Sequence, residues 1–119
     1  MEPKLHRRIQ RYGWDKAASA YEPSWKKQLK PARDTLLEMA GLQPGRNILE
    51  TACGTGLLTF PVAKSVGAGG KVTATDISEE MINIAAEKAA DNDINNATFH
   101  RMDAEKLSFD DHKFDAALC

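Results

Sequence analysis

No stretch of this sequence approaches the roughly 20 consecutive apolar residues that a membrane-spanning helix needs. Its first residues, MEPKLHRRIQRYGW, have no apolar core of the kind a secretory signal carries. Cysteine is scarce. Cys53 and Cys119 lie far apart with no CxxC or histidine spacing, which argues against a disulfide framework and against a zinc site. The expectation is a soluble, cytoplasmic chain with both thiols reduced and buried, and with no membrane span or bound metal.

What is present is ordinary in amount and uneven in placement. Hydrophobic residues make up 42% of the 119, enough for a globular core and too many for a disordered chain. The net charge of -1 conceals a basic front: residues 1–46 carry ten Lys or Arg against five Asp or Glu, and residues 47–119 carry six against twelve. The basic residues alternate with apolar ones at helical spacing and no aromatic or zinc nucleic-acid motif accompanies them. A solvated helix face is therefore favoured over a nucleic-acid patch.

Leu5, Ile9 and Tyr12 recur at i, i+4 and i+7, as do Trp14, Ala18 and Tyr21. The spacing predicts two short amphipathic helices parted near Gly13, the second ended by Pro23. A further helix is expected after Lys30 and Pro31, with Leu36, Leu37 and Ala40 on its inner face and Gly41 as a left-handed C-cap. Beyond the turn LQPG the pattern changes. RNILET, KVTAT, ATFHRM and FDAALC read as strands, with LLTFPVAKSV and SEEMINIAAEKAA as helices between the first three. Ser78 is the expected N-cap of the second helix, and Met81, Ile82, Ala85 and Ala89 its buried face. Strands alternating with helices over such short turns imply parallel pairing by right-handed crossovers, hence an α/β, Rossmann-like doubly wound sheet preceded by N-terminal helices. No internal repeat or linker interrupts it.

In such a sheet, ligands bind beyond the carboxyl ends of the strands. There the stretch NILETACGTGLLTF places Gly54 and Gly56 between a strand and a helix, so that the backbone turns sharply and approaches a ligand without a Cβ in the way. Alone, a glycine pair is equally a tight turn with no ligand. Asp76 ends the second strand, 20 residues beyond Gly56, where a carboxylate accepts from both hydroxyls of a ribose; it also stands where it would cap the helix near Ser78, and the two roles are compatible. A nicotinamide dinucleotide site usually has a third small residue where this chain has Thr59. Glu50, at the end of the first strand, suits an ammonium better than a pyrophosphate. A ribose, a positive charge and no phosphate describe S-adenosylmethionine.

ILETACGTG, VTATDIS followed by Met81, and RMDAEKLSF with FDAALC resemble, in order, the motifs of class I S-adenosylmethionine-dependent methyltransferases. The type-11 group that includes ubiquinone and menaquinone biosynthesis C-methyltransferases is the most similar, and WDKAASAYEPSW resembles the helix that precedes its domain. The resemblance is strong over 46–119 and looser over 12–25. It implies that Glu50 meets the methionine amino group, with Ala52 and Gly54 near the aminoacyl part, and that Gly56 admits the adenosine. It further implies that Asp76 holds the ribose, Ile77 and Met81 pack on adenine, and Asp103 and the Ala104 amide bond the adenine edge. Cys119 is implied near the sulfonium and Tyr21 as a cover near the cofactor carboxylate. Ile77 and Met81 are also plain core candidates, and Cys53 a small buried residue without a group to activate it. His6, His100 and His112 lie in separate settings, and none is marked as a general base.

The resemblance also implies a methyl transfer to a small-molecule or lipid-like acceptor, with S-adenosylhomocysteine as product. The family sheet has about seven strands in the order 3-2-1-4-5-7-6, whereas this sequence stops at the fourth. The expectation is therefore a helical cap over 1–45 and the cofactor half of the domain over 46–119, truncated at order 3-2-1-4, with the edge of the fourth strand open to self-association. Lys26 and Lys27 on the basic front are placed to attract an acidic substrate. Two other readings remain: a non-catalytic cofactor-binding or oligomerisation module, and an NAD-dependent oxidoreductase, which Thr59 and Glu50 disfavour.

Overall fold

A computed structural model describes residues 2–119. Four strands, β1 (Asn47–Glu50), β2 (Lys71–Asp76), β3 (Ala97–Arg101) and β4 (Ala116–Leu118), form one parallel sheet in the order β3-β2-β1-β4. This is the doubly wound order that the family resemblance implies. In β1 and β2 every residue after the first is buried, as expected of the two central strands of a parallel sheet. Helix α2 (Thr59–Val66) joins β1 to β2, and α3 (Glu79–Asp91) joins β2 to β3. Ile48, Val62, Val66, Val72 and Leu118 make the core between sheet and helices.

Local chemistry sets the helix limits. The Ser78 hydroxyl accepts the Met81 amide at 3.2 Å, Glu79 and Glu80 occupy the first turn of α3, and Met81, Ile82, Ala85 and Ala89 form its buried face. Each of these matches the reading of the sequence.

The front of the chain differs from that reading. A single helix, α1 (Pro3–Ala40), runs through Gly13, Pro23 and Pro31 and ends at Gly41, whose φ of 56° is the expected left-handed cap. A proline within a helix costs about 3 kcal/mol through the lost bond and its ring clash, and a glycine about 1 kcal/mol. Contacts outside the helix offset that loss. Arg7 pairs with Asp103 at 3.4 Å and with Glu105 at 3.1 Å. Asp15 accepts the Ser78 hydroxyl at 2.6 Å and the Glu80 amide at 3.2 Å. Glu22 accepts the Thr55 hydroxyl at 2.8 Å and the Lys88 ammonium. Leu36, Leu37 and Ala40 pack against the core, as expected. The apolar face predicted further forward is not buried: Leu5, Ile9 and Tyr12 are 47%, 50% and 56% exposed. Apolar spacing marked a helix there, but polar side chains hold it down.

Candidate cofactor and active site

Because all four strands run the same way, their carboxyl ends lie along one edge, and each delivers a loop to it. Three backbone bonds tie these loops together: Thr51 N–H to the Leu118 carbonyl, Cys53 N–H to Thr75, and Met102 N–H to Asp76, each 2.9 Å. Residues 51–56 then turn through alternate left-handed positions, Ala52 (φ 54°), Gly54 (φ 57°) and Gly56 (φ 95°). Such a φ is cheap for glycine and costs roughly 1–2 kcal/mol for Ala52.

Asp76 is buried and binds this turn to the next helix. One carboxylate oxygen accepts the Gly54 amide at 2.8 Å and the other the Ser78 amide at 2.9 Å. Each oxygen keeps a second acceptor direction. Asp103 is similarly engaged, by the Glu105 amide at 2.9 Å and by Arg7.

Glu50 is 2% exposed and accepts a hydrogen bond from the fully buried Thr59 hydroxyl. Burial pushes its carboxyl up to about 7, with the Thr59 bond opposing and the Asp76 charge adding to the rise. Among the described residues no cation pairs with it. Burial, with Glu50 and Asp76 nearby, also pushes the Cys53 thiol up, so Cys53 is an inert core group.

Two adjoining cavities open along this edge. The first, of 370 Å³, is lined by Asp76, Ile77, Met81, Asp103 and Ala104 on one side and by Tyr21, Ala52 and Gly54 on the other. The second, of 260 Å³, shares Tyr21, Ala52 and Gly54 and adds Glu50 and Cys119, which is exposed and not buried as the sequence suggested, because it lies past the end of β4. Tyr21 stands between them, with a ring carbon 3.9 Å from where a Gly54 Cβ would be, and its ring meets Trp14 edge to face at 6.1 Å. Ten of the eleven residues singled out in the sequence thus line one cavity or the other. Gly56 lines neither: a Cβ there would fall 2.8 Å from the Phe60 ring, so its bareness serves packing within the turn.

Sequence reasoning missed Trp14 and Met102 in the first cavity, and Arg33 and Leu57 in the second. Met102 had a local signal, since it directly precedes Asp103. Trp14 had one too, since it shares the predicted helical face of Tyr21; Arg33 had none, because its approach depends on α1 being unbroken. Thr59 was seen only as the wrong residue for a dinucleotide, while its position nine residues after Glu50 was the clue to a buried donor.

Residues 48–119 match the family described as methyltransferase domain. The chain belongs to that family, and its fold is that of class I S-adenosylmethionine-dependent methyltransferases. Among individual proteins it is similar to the ubiquinone/menaquinone biosynthesis C-methyltransferase UbiE of Ectopseudomonas mendocina (strain ymp), 39% identical over 80 residues that cover 66% of this chain and 31% of the relative. It is also similar to nocamycin O-methyltransferase of Saccharothrix syringae, 30% identical over 102 residues, 86% of this chain and 36% of the relative. The crystal structure of a SAM dependent methyltransferase from Aquifex aeolicus superposes with a TM-score of 0.67 at 29% identity, covering 82% of this chain and 56% of that one. The chain spans about a third of the length of these curated relatives.

Proposed function

We propose that this chain binds S-adenosylmethionine and supplies the cofactor-holding part of an enzyme that methylates a small-molecule or lipid-like acceptor. The observation that carries the reading is the pair of adjoining cavities at the strand ends, one walled by Asp76 and Asp103 and the other by the buried, cation-free Glu50. In the first, the free acceptor directions of Asp76 suit two ribose hydroxyls, while Asp103, the Ala104 amide, Ile77 and Met81 suit an adenine. In the second, Glu50 offers a desolvated carboxyl to an ammonium, and Cys119 stands at the far wall.

When bound, the cofactor supplies a methyl group activated by a positively charged sulfur. The chain's own residues do the rest by placement. Asp76 and Glu50 fix the two ends, Gly54 lets the backbone come close between them, and Tyr21 covers the junction and keeps water out. Holding the two reactants in line accounts for much of such a rate enhancement. A general base is not required of these residues where the acceptor is already deprotonated.

A nicotinamide dinucleotide fits less well. Its pyrophosphate would lie beside the Glu50 carboxyl, and the nearby Thr59 hydroxyl is already committed to Glu50. Ultraviolet cross-linking of the chain with methyl-labelled S-adenosylmethionine tests the reading. Labelling displaced by S-adenosylhomocysteine and not by NAD is expected; labelling insensitive to S-adenosylhomocysteine would count against it.

A further inference from the structure

One buried donor at this edge has no acceptor. The Arg33 Nε, like the Arg11 Nε further forward on α1, is enclosed without a hydrogen-bond partner, and among the described residues Arg33 forms no ion pair. An unmet donor on a charged group is costly, and it calls for an explanation in an unseen partner. Arg33 lines the second cavity with Glu50 and Cys119, and it also lines a third cavity of 360 Å³ that runs outward past Lys26, Phe60 and Lys88.

The charges along this path are one-sided. Glu50 is the one acid lining either cavity, and Arg33, Lys26 and Lys88 are the bases. Lys88 is answered by Glu22, which Lys26 also faces, so Arg33 is left as the uncompensated cation. Around it the walls are apolar, formed by Leu29, Leu36, Leu57 and Leu58.

Resting on the function proposed above, we propose that the methyl acceptor is an amphiphilic acid, its carboxylate held by the Arg33 guanidinium and its apolar body laid against these leucines. A planar guanidinium matches a carboxylate in a two-point bond through its paired N–H groups. The cofactor's own carboxylate is the competing occupant, since Arg33 shares the second cavity with Glu50, Ala52 and Gly54; Arg33 also lines the third cavity, which none of these three lines.

The test is calorimetric titration of the 119-residue chain with octanoate, octanol and octylamine, with and without saturating S-adenosylhomocysteine, in wild type, Arg33→Met and Arg33→Lys. Octanoate should bind about tenfold more tightly than either neutral or cationic analogue, a charge-assisted bond's worth of preference. Arg33→Met should erase the preference and Arg33→Lys keep part of it, both with S-adenosylhomocysteine affinity within about twofold of wild type. No preference for octanoate, or one that survives Arg33→Met, overturns the assignment. A loss of S-adenosylhomocysteine affinity of about tenfold in Arg33→Met also overturns it, by giving Arg33 to the cofactor. S-adenosylhomocysteine binding without octanoate preference removes this inference alone; octanoate preference without any S-adenosylhomocysteine binding removes the function proposed above and the acceptor role with it.

Discussion

The Asp76 carboxylate accepts the Gly54 amide at 2.8 Å across 22 residues, which makes the glycine turn and the end of β2 a single unit. Its other oxygen caps the entry to α3. Replacing Asp76 by Asn puts an NH₂ group against one of these two amides. The expected cost is about 1–3 kcal/mol of stability for the donor left facing a donor. Loss of the charge to the ribose hydroxyls should weaken S-adenosylhomocysteine roughly ten- to a hundredfold. Urea unfolding and calorimetry measure the two separately; unchanged affinity in a folded variant would remove Asp76 from the cofactor site.

Glu50 gives the ligand-free chain a particular pH dependence. Its folded value, about 7, lies above the ordinary 4.5, so the folded chain holds this proton more tightly than the unfolded one. The Glu50 contribution to stability is then greatest below the ordinary value and falls as pH rises toward 7, by about 3 kcal/mol in all. Glu50→Gln should flatten this slope in urea unfolding followed between these values. For the same reason, an ammonium bound at Glu50 should displace the proton, so S-adenosylhomocysteine affinity should rise with pH over that range in wild type and not in the variant.

The tethers of α1 respond in the opposite direction. The Ser78 hydroxyl holds Asp15 below its ordinary value against an opposing effect of burial. For Glu22, burial is the largest single influence and raises the carboxyl, but the bonds from Lys88 and Thr55 with the charges of Lys88 and Lys26 together outweigh it. Their contributions are present at neutral pH and are lost as pH falls below the ordinary values of 3.8 and 4.5 and through the lowered ones. Both tryptophans, Trp14 and Trp25, lie on α1. Their emission should therefore change on acidification, and an Asp15→Asn, Glu22→Gln pair should show much of that change at neutral pH. Identical emission in the two proteins at both pH values would mean that these tethers do not hold the helix.

Gly54 and Gly56 separate two uses of glycine. Gly56→Ala should destabilise by about 1–3 kcal/mol, from a left-handed backbone and a Cβ 2.8 Å from the Phe60 ring, with little effect on cofactor affinity in the folded fraction. Gly54→Ala shares the cost of a left-handed backbone but its methyl meets only Tyr21, at 3.9 Å, at a residue that lines both cavities. It should weaken S-adenosylhomocysteine more than it lowers stability. Equal ratios of the two effects in both variants, from thermal shift and calorimetry, would contradict the distinction.

Much of this was legible in the sequence because it is local. Strand and helix periods, the Ser78 cap and the Gly41 cap each depend on a few neighbouring residues, and parallel order follows from their alternation. The carboxylates Glu50, Asp76 and Asp103 were legible because a parallel sheet brings successive strand ends to one edge. The course of α1 was not. Pro23 and Pro31 are strong local breakers, and what outweighs them are contacts with residues 33 to 98 positions away, such as Glu22 to Thr55 and Arg7 to Glu105. The same distance hid Arg33 from the reading of the site, and Gly56 lines neither cavity, with Phe60 turned back over it.

The central claim is that the strand-end cavities take a phosphate-free, positively charged nucleoside. Calorimetric titration of the chain at pH 7.5 with S-adenosylhomocysteine and with NAD, repeated with Glu50→Gln, tests it most directly. The account predicts saturable binding of S-adenosylhomocysteine that weakens in Glu50→Gln, and none of NAD at the same concentrations. Binding of NAD without S-adenosylhomocysteine would contradict it.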